Sequence, residues 1–384
     1  MTIDKGIPIK NIFYMLTYAF KELNREHYKR VETENFGNIH DMFAEILYLG
    51  ISYLLKQGLH REYVDCEDTL STLRGKLDVR ATIKEKMRQT AKLACAFDEF
   101  SSNNIFNQVL KATVVLLLGC GDVKSARKGK IRKLMLFFEN VENIELKSVR
   151  WSSLRYDRNT QTYQMLHSIC YFVAFDLLLT TENGNQQVPM FSDENMALLF
   201  QRFILEYYRK EHSDYGAKGC RVKWNLDEDE VPSSLLPTMN TDVTLRLGDR
   251  TLIIDAKYYS HTLQENFGKQ TIHSANLYQI YAYVTNEDID KNGYQKGNVD
   301  GMLLYAMTEK YGKKSERIKL KAGNVIYVKT LDLSQDFEEI KKQLDEFAPD
   351  GHICVIDCDI RINIPELRTG GTRILTNKVE FQLE

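Results

Sequence analysis

Apolar residues recur at helical spacing through most of the first half of the chain. Ile12, Tyr14, Met15, Tyr18 and Ala19 mark a stripe over residues 11–23, and Pro8 stands just upstream, where helices begin. The same period predicts helices over 41–55, ending at Gly58, over 104–118, closed by Gly119 and Gly121, and over 131–138 and 163–179. Between the second and third of these the period changes. Residues 62–66, 76–82 and 91–97 read as strands, with a turn at Leu73-Arg74-Gly75, so a small β hairpin unit over 62–97 interrupts the helices. Beyond the polar, turn-rich stretch 182–187 the order is different. A helix over 193–210, with Ser192 as its cap, leads to a strand over 221–224 and an acidic loop at 227–230. Two strands, 241–247 and 251–256, then stand in hairpin register around Gly248-Asp249, followed by a helix over 274–284 and strands over 301–307 and 325–330. The pattern predicts an α+β chain. A mostly helical N-terminal domain, residues 1–185, precedes a mixed α/β domain, residues 188–384.

The second domain carries the candidate chemistry. Side chains alternate along a strand, so Asp255 and Lys257 share a face, while Ala256 points away and leaves its carbonyl beside them. The hairpin brings Asp242 up against Asp255. Two carboxylates and a carbonyl make an oxygen site suited to Mg2+, a hard cation that takes few protein ligands. Lys257 adds a point charge able to orient or activate the attacking water in metal-assisted phosphodiester hydrolysis. A structural salt bridge is the competing reading. Acid-x-Lys triplets also occur at Asp122-Val123-Lys124, Glu145-Leu146-Lys147 and Glu339-Ile340-Lys341, where solvated charge pairs are expected. Asp255 differs because it ends an apolar strand, where an unpaired carboxylate carries a heavy desolvation cost. Gln279 and Tyr283 lie one helical turn apart and can meet phosphates or orient the lysine. Tyr278 and Tyr281 are expected in the core. Glu206, on the preceding helix, is a further candidate acid.

Composition narrows the function classes. The 384 residues include 51 basic and 53 acidic side chains, a formal charge of -2, so bulk charge gives no sign of nucleic-acid binding, although a local basic groove stays open. The basic run 124–133 has no interleaved aromatics and is expected as a solvated helix face. Seven cysteines without a CxxC pair read as reduced thiols, and His261 and His273 read as core or surface histidines. No Gly-x-Ser-x-Gly supports acyl transfer, and no G-x-x-x-x-G-K-[ST] supplies a nucleotide site, so any NTP-driven step falls to a partner. The first residues lack the apolar core of a signal peptide, and runs such as 114–118 fall short of the ~20 residues that span a bilayer. The expectation is a soluble, cytoplasmic protein with no membrane association.

Asp242, Asp255-Ala256-Lys257 and Gln279-x-x-x-Tyr283 resemble the motif set of the PD-(D/E)XK nucleases, in the branch with a QxxxY motif. Thr241-Asp242 replaces the usual Pro-Asp, with Pro237 five residues earlier. Further stretches resemble the McrC family, nuclease subunits of McrBC modification-dependent restriction systems. They are residues 7–18, Leu73-Arg74-Gly75-Lys76-Leu77-Asp78, Phe97-Asp98-Glu99-Phe100-Ser101 with Asn103 to Asn107, and residues 235–259, in order between about residue 7 and residue 306. The resemblance implies a PD-(D/E)XK nuclease domain using Mg2+, with Mn2+ as a substitute. It also implies an McrB-like AAA+ GTPase hexamer as partner, stimulation of that GTPase through the N-terminal half, and modified, methylcytosine-containing double-stranded DNA as substrate. A non-catalytic adaptor or GTPase activator on a nuclease fold is one alternative, which the intact Asp242, Asp255 and Lys257 disfavour. A stand-alone nuclease is another. The β unit carries Arg74, Lys76, Arg80, Lys84, Lys86 and Arg88. It is expected to project toward a partner ring and bring positive charge near a bound nucleotide.

Overall fold

The computed structural model describes residues 3–4, 6–182, 193–226, 233–258, 264–266, 269–271, 273–289, 294–307 and 314–347. Helix α1 (Ile9–Ala19) starts after Pro8, and its apolar stripe is buried, with Ile12, Met15 and Leu16 fully enclosed. Buried Asn11 donates to the carbonyls of Leu333 (2.9 Å) and Gln335 (2.7 Å), and the Tyr18 hydroxyl donates to Glu211 (2.6 Å). These bonds tie the first helix of the chain to its second half. Helix α2 (Ile39–Gln57) is capped by Asn38, which accepts from the Asp41 N–H.

The β unit departs from the expected hairpin. Strand β1 (Glu62–Leu70) is followed by a very short β2 (Lys76–Leu77), then by helix α3 (Val79–Met87), and β3 (Leu93–Ser101) closes the unit. The strand expected over 76–82 stops at Leu77 because Asp78 caps a helix, its carboxylate accepting from the Ala81 N–H at 3.0 Å. The three antiparallel strands run in the order β1-β3-β2. Gly75 is required at their crossing: its φ is 68°, and a Cβ there would lie 2.4 Å from the Ala96 carbonyl oxygen.

Helices α4 (Ile105–Gly119), α5 (Ser125–Met135), α6 (Gln161–Glu182) and α7 (Asp193–Glu211) follow. At the stem of the β unit, the Asn104 and Asn107 amides both donate to the His60 carbonyl (2.9 and 2.8 Å). The Tyr163 hydroxyl donates to Asn107 and accepts from the His60 N–H. The basic run 124–133 forms most of α5, but it is not wholly a solvated face. Arg127 is buried, ion-paired to Asp41 (2.9 Å), Glu34 (2.6 Å) and Glu45, because α5 lies across α2, whose inner face carries two of those acids.

The second sheet contains β4 (Val243–Leu247), β5 (Arg250–Lys257), β6 (Val299–Ala306), β7 (Ser315–Lys319) and β8 (Val325–Leu331), in the order β7-β8-β6-β5-β4. β4 and β5 form the expected antiparallel hairpin, whereas β5, β6 and β8 are parallel. Helix α8 (Ser274–Glu287) makes the crossover from β5 to β6, and α9 (Phe337–Phe347) follows β8. One face of the sheet packs through Leu252, Ile254 and Leu304 into the core shared with α1 and α7. The other packs through Ile253 and Leu303 against Ile280, Tyr283 and Val284 of α8. Gly301 permits that second contact, since a Cβ would lie 2.7 Å from Ile280 Cγ1. The strand expected over 221–224 is only Arg221–Val222, paired with Met239–Asn240.

Residues 183–187 of the expected domain boundary, Ser192, the acidic loop 227–230, His261, Cys354, Cys358 and residues 361–384 lie outside the described residues. No helix among the described residues is long and apolar enough to cross a membrane.

Candidate active site

The site lies at the carboxyl ends of the parallel strands, where open α/β sheets leave a crevice. Register pairs Val243 with Ile254, so the next step along the hairpin sets Asp242 against Asp255. A carboxylate oxygen of Asp242 accepts from the Ala256 N–H at 2.9 Å. A strand residue's N–H and C=O leave on the same side. The Ala256 carbonyl therefore points toward the same edge, beyond the start of β4, where the Gln201 amide of α7 reaches it at 3.4 Å. Asp255 is 1 % exposed. Lys257 Nζ stands 3.0 and 2.9 Å from its two oxygens but is aligned to donate only to Oδ1, which leaves Oδ2 buried without a directed donor.

The electrostatics follow from that burial. Desolvation, reinforced by the neighbouring Asp255 charge, pushes the Asp242 carboxyl up to about 6 against the opposing effects of Lys257 and the Ala256 N–H. Burial likewise raises the Asp255 carboxyl, with Lys257 opposing. Two desolvated carboxylates, one of them with an undirected oxygen, and a carbonyl at one edge form a donor set that a hard divalent cation would satisfy. One lysine neutralises only half of the pair's charge.

The remaining candidates are distributed around this centre. On α8 the Gln279 amide donates to the Tyr283 hydroxyl at 2.8 Å, and Tyr283 is buried on the sheet face that Ile253 shares with Asp255 and Lys257. The expectation for Tyr278 and Tyr281 is overturned. They are 70 % and 50 % exposed, because α8 turns its 276/280/283/284 face to the sheet and these two positions to solvent. Glu206 lines, with Asp242, a cleft of about 680 Å3 between α6 and α7. Its carboxylate is held by Arg209 at 2.6 Å. Arg202, Trp151 and Tyr171 line the same cleft. Gln201 was not singled out by the sequence. Its signal is available in hindsight: a polar residue five positions before Glu206 on the helix that covers the β5 edge.

Comparison with known proteins gives a consistent set of likenesses. The family described as McrBC 5-methylcytosine restriction system component matches residues 5–306. The type IV methyl-directed restriction enzyme EcoKMcrBC of Escherichia coli (strain K12) is 27% identical over 341 residues, 88% of this chain and 96% of that protein. Among solved structures, McrC bound to McrB AAA+ hexamers in a refined half-complex from a tetradecameric assembly of Thermococcus gammatolerans covers 89% of this chain and 76% of its own. The TM-score is 0.50 at 17% identity, a likeness of fold.

Proposed function

The chain belongs to the family of McrBC 5-methylcytosine restriction system components, matched from residue 5 to residue 306, and from that premise we propose that it is the system's Mg2+-dependent DNA endonuclease subunit. The observation that carries this reading is the meeting of Asp242, Asp255 and Lys257 at one strand end, where a buried and a half-buried carboxylate share one lysine. Residues 188–384 form the PD-(D/E)XK nuclease domain in this reading, and residues 1–185 bind the partner.

Asp242, Asp255 and the Ala256 carbonyl would hold Mg2+, which supplies Lewis-acid polarisation of the scissile phosphate when bound. Lys257 keeps a positive charge beside the reacting phosphate and orients the attacking water. The water oxygen bonds to phosphorus as the bond to the leaving 3′ or 5′ oxygen breaks. Gln201 fixes the direction of the Ala256 carbonyl. The Gln279–Tyr283 pair packs on the sheet face that carries Asp255 and Lys257 and in this reading contributes to phosphate contact or lysine orientation, and Glu206 supplies a further acid in the adjoining cleft. Mn2+ would substitute for Mg2+, having the same preference for oxygen ligands.

The partner in this reading is an McrB-like AAA+ GTPase hexamer acting on modified double-stranded DNA, as the names of the similar proteins suggest. The β unit supports it, because Tyr63, Leu73, Met87 and Phe100 are exposed there among basic side chains. The test is cleavage of methylated duplex by the chain with its partner, GTP and Mg2+. Asp255→Ala should abolish cleavage while GTP hydrolysis by the complex stays stimulated. Normal cleavage by that variant would overturn the site assignment and leave an adaptor, and cutting by the isolated wild-type chain would indicate a stand-alone enzyme.

A further inference from the structure

A second ligand cluster lies in the N-terminal half, on elements that contribute nothing to the nuclease site. His40 sits in the first turn of α2 and is fully buried, yet neither ring nitrogen has a hydrogen-bond partner. Buried polar side chains normally find partners, so an orphaned imidazole calls for an explanation. Its Nδ1 faces an Asp122 carboxylate oxygen at 3.8 Å, beyond hydrogen-bonding reach. Cys120, which ends α4, places its Sγ 3.9 Å from that same oxygen. The three ligand atoms all lie within 4.8 Å of one another.

We propose that His40, Cys120 and Asp122 bind a Zn2+ ion. Bonds of about 2.0 Å to nitrogen and oxygen and about 2.3 Å to sulfur give tetrahedral ligand separations of roughly 3.3–3.6 Å. The two separations to Asp122 therefore need to close by about half an ångström, and the third, which is within 4.8 Å, by at most about 1.3 Å. Cys120 and Asp122 are half-buried and can make that adjustment, whereas His40 is already held in place by the core. The donor set identifies the ion class. A thiolate and an imidazole favour Zn2+ over Mg2+, and a thiolate with a carboxylate balances its two charges.

The loop that carries two of the ligands is already fastened onto α2. Asn38 donates to the Asp122 carbonyl at 2.7 Å, and the Lys124 N–H donates to Asp41 at 3.1 Å. Three protein ligands leave a fourth position that water would fill, since Cys120 and Asp122 are half-exposed. The ion would pin the α4–α5 turn to the start of α2, a structural role separate from cleavage.

The experiment uses the full chain, stripped with a chelator, with Zn2+ and then Co2+ as probes. Zn2+ should slow alkylation of Cys120, read by mass spectrometry, without slowing that of Cys66. Co2+ should give a thiolate-to-metal absorption band with tetrahedral d–d intensity. His40→Gln and Asp122→Asn should each weaken binding by at least the ~10–100-fold that outer partners of a metal are worth. Asp255→Asn should leave both signals unchanged, which separates this cluster from the nuclease site and from the reading built on it. Equal alkylation of Cys120 with and without Zn2+ in the folded wild-type chain would overturn the proposal, and that readout needs no variant to fold.

Discussion

The five-stranded and the three-stranded sheet differ in almost every respect that burial controls. Every residue of β6 is buried, and β5 is buried from Leu252 to Ala256. Strand β1 is mostly open, and Tyr63 and Phe100 face each other across the ladder at 5.0 Å while 76 % and 53 % exposed. An isolated three-stranded unit with little core is marginal in water. This one is held at its stem by Asn104, Asn107 and Tyr163, and at its centre by Thr82, whose hydroxyl accepts from the Ala94 N–H at 3.0 Å. The large sheet spends core burial to hold carboxylates where water would otherwise claim them. The small one keeps apolar and basic side chains outside, where a partner can cover them.

The sharpest way to break this contrast is to remove charge from the buried sheet. Lys257→Ala should lower cleavage by ~10²–10⁴, the range for a positioned group that assists proton or charge transfer, with stimulation of the partner's GTPase unchanged. The converse is a combined Tyr63→Ser, Met87→Ser and Phe100→Ser chain. Its stimulation of GTP hydrolysis should fall ~10-fold or more, as when two or three interface anchors are truncated. Its melting temperature should barely move, since exposed positions are usually within ~0.5 kcal/mol of neutral. A loss of fold in that variant would place these residues in the stability of the unit and erase the contrast. Alanine variants of Arg74, Lys76, Arg80, Lys84, Lys86 and Arg88, titrated into the same GTPase assay, separate charge from apolar contact. Arg74 is expected to behave differently from the rest, because its guanidinium stacks on Phe97 at 4.0 Å and its loss removes a contact within the unit.

The same contrast explains what the sequence disclosed. Where strands are buried, period-2 alternation and a two-residue turn fix the register, and the pairing of Asp242 with Asp255 follows from counting. Where the chain is exposed, alternation loses that meaning. Val79, Ala81 and Ile83 continue the strand-like pattern of Lys76–Leu77, and only the Asp78 cap and the Lys84-Glu85-Lys86 run disclose a helix. The sequence points Tyr278 and Tyr281 to the core for a related reason. Aromatic residues every few positions on α8 leave its buried face ambiguous until the sheet beneath selects Ile280, Tyr283 and Val284. Arg127 was hidden by its basic neighbours, and its three acidic partners come from residues more than eighty positions away. The bond from Gln201 to Ala256 depends on how α7 crosses β5, which no local pattern encodes.

A smaller effect should come from Asn11. Its hydrogen bond to the Leu333 carbonyl is buried and that to the exposed Gln335 is half-buried, so Asn11→Ala leaves one enclosed acceptor unsatisfied, costing ~1–3 kcal/mol. Chemical denaturation checks this. A cost near zero would mean that α1 is held by apolar packing alone.

The smallest effect is a pH dependence of stability in the metal-free chain, and its sign is diagnostic. An unfolded aspartate ionises near ~3.9, whereas burial lifts Asp242 to about 6 in the fold. Between those values the folded chain keeps a proton that the unfolded chain has released. Stability contributed by this group is therefore present below about pH 4, is lost as the pH rises through about 6, and is flat above. Asp255, also raised by burial, adds to the same slope. Asp242→Asn has no proton to lose, so the difference in melting temperature between variant and wild type, measured in chelator, should widen in the variant's favour across that window. Mg2+ should shrink the difference at the upper end by binding the ionised wild-type carboxylates and not the amide. A wild type that gains stability relative to Asp242→Asn as the pH rises, without metal, would mean that Lys257 already compensates both charges. The carboxylates would then be an ordinary buried ion pair, and the large sheet would hold its acids for structure alone.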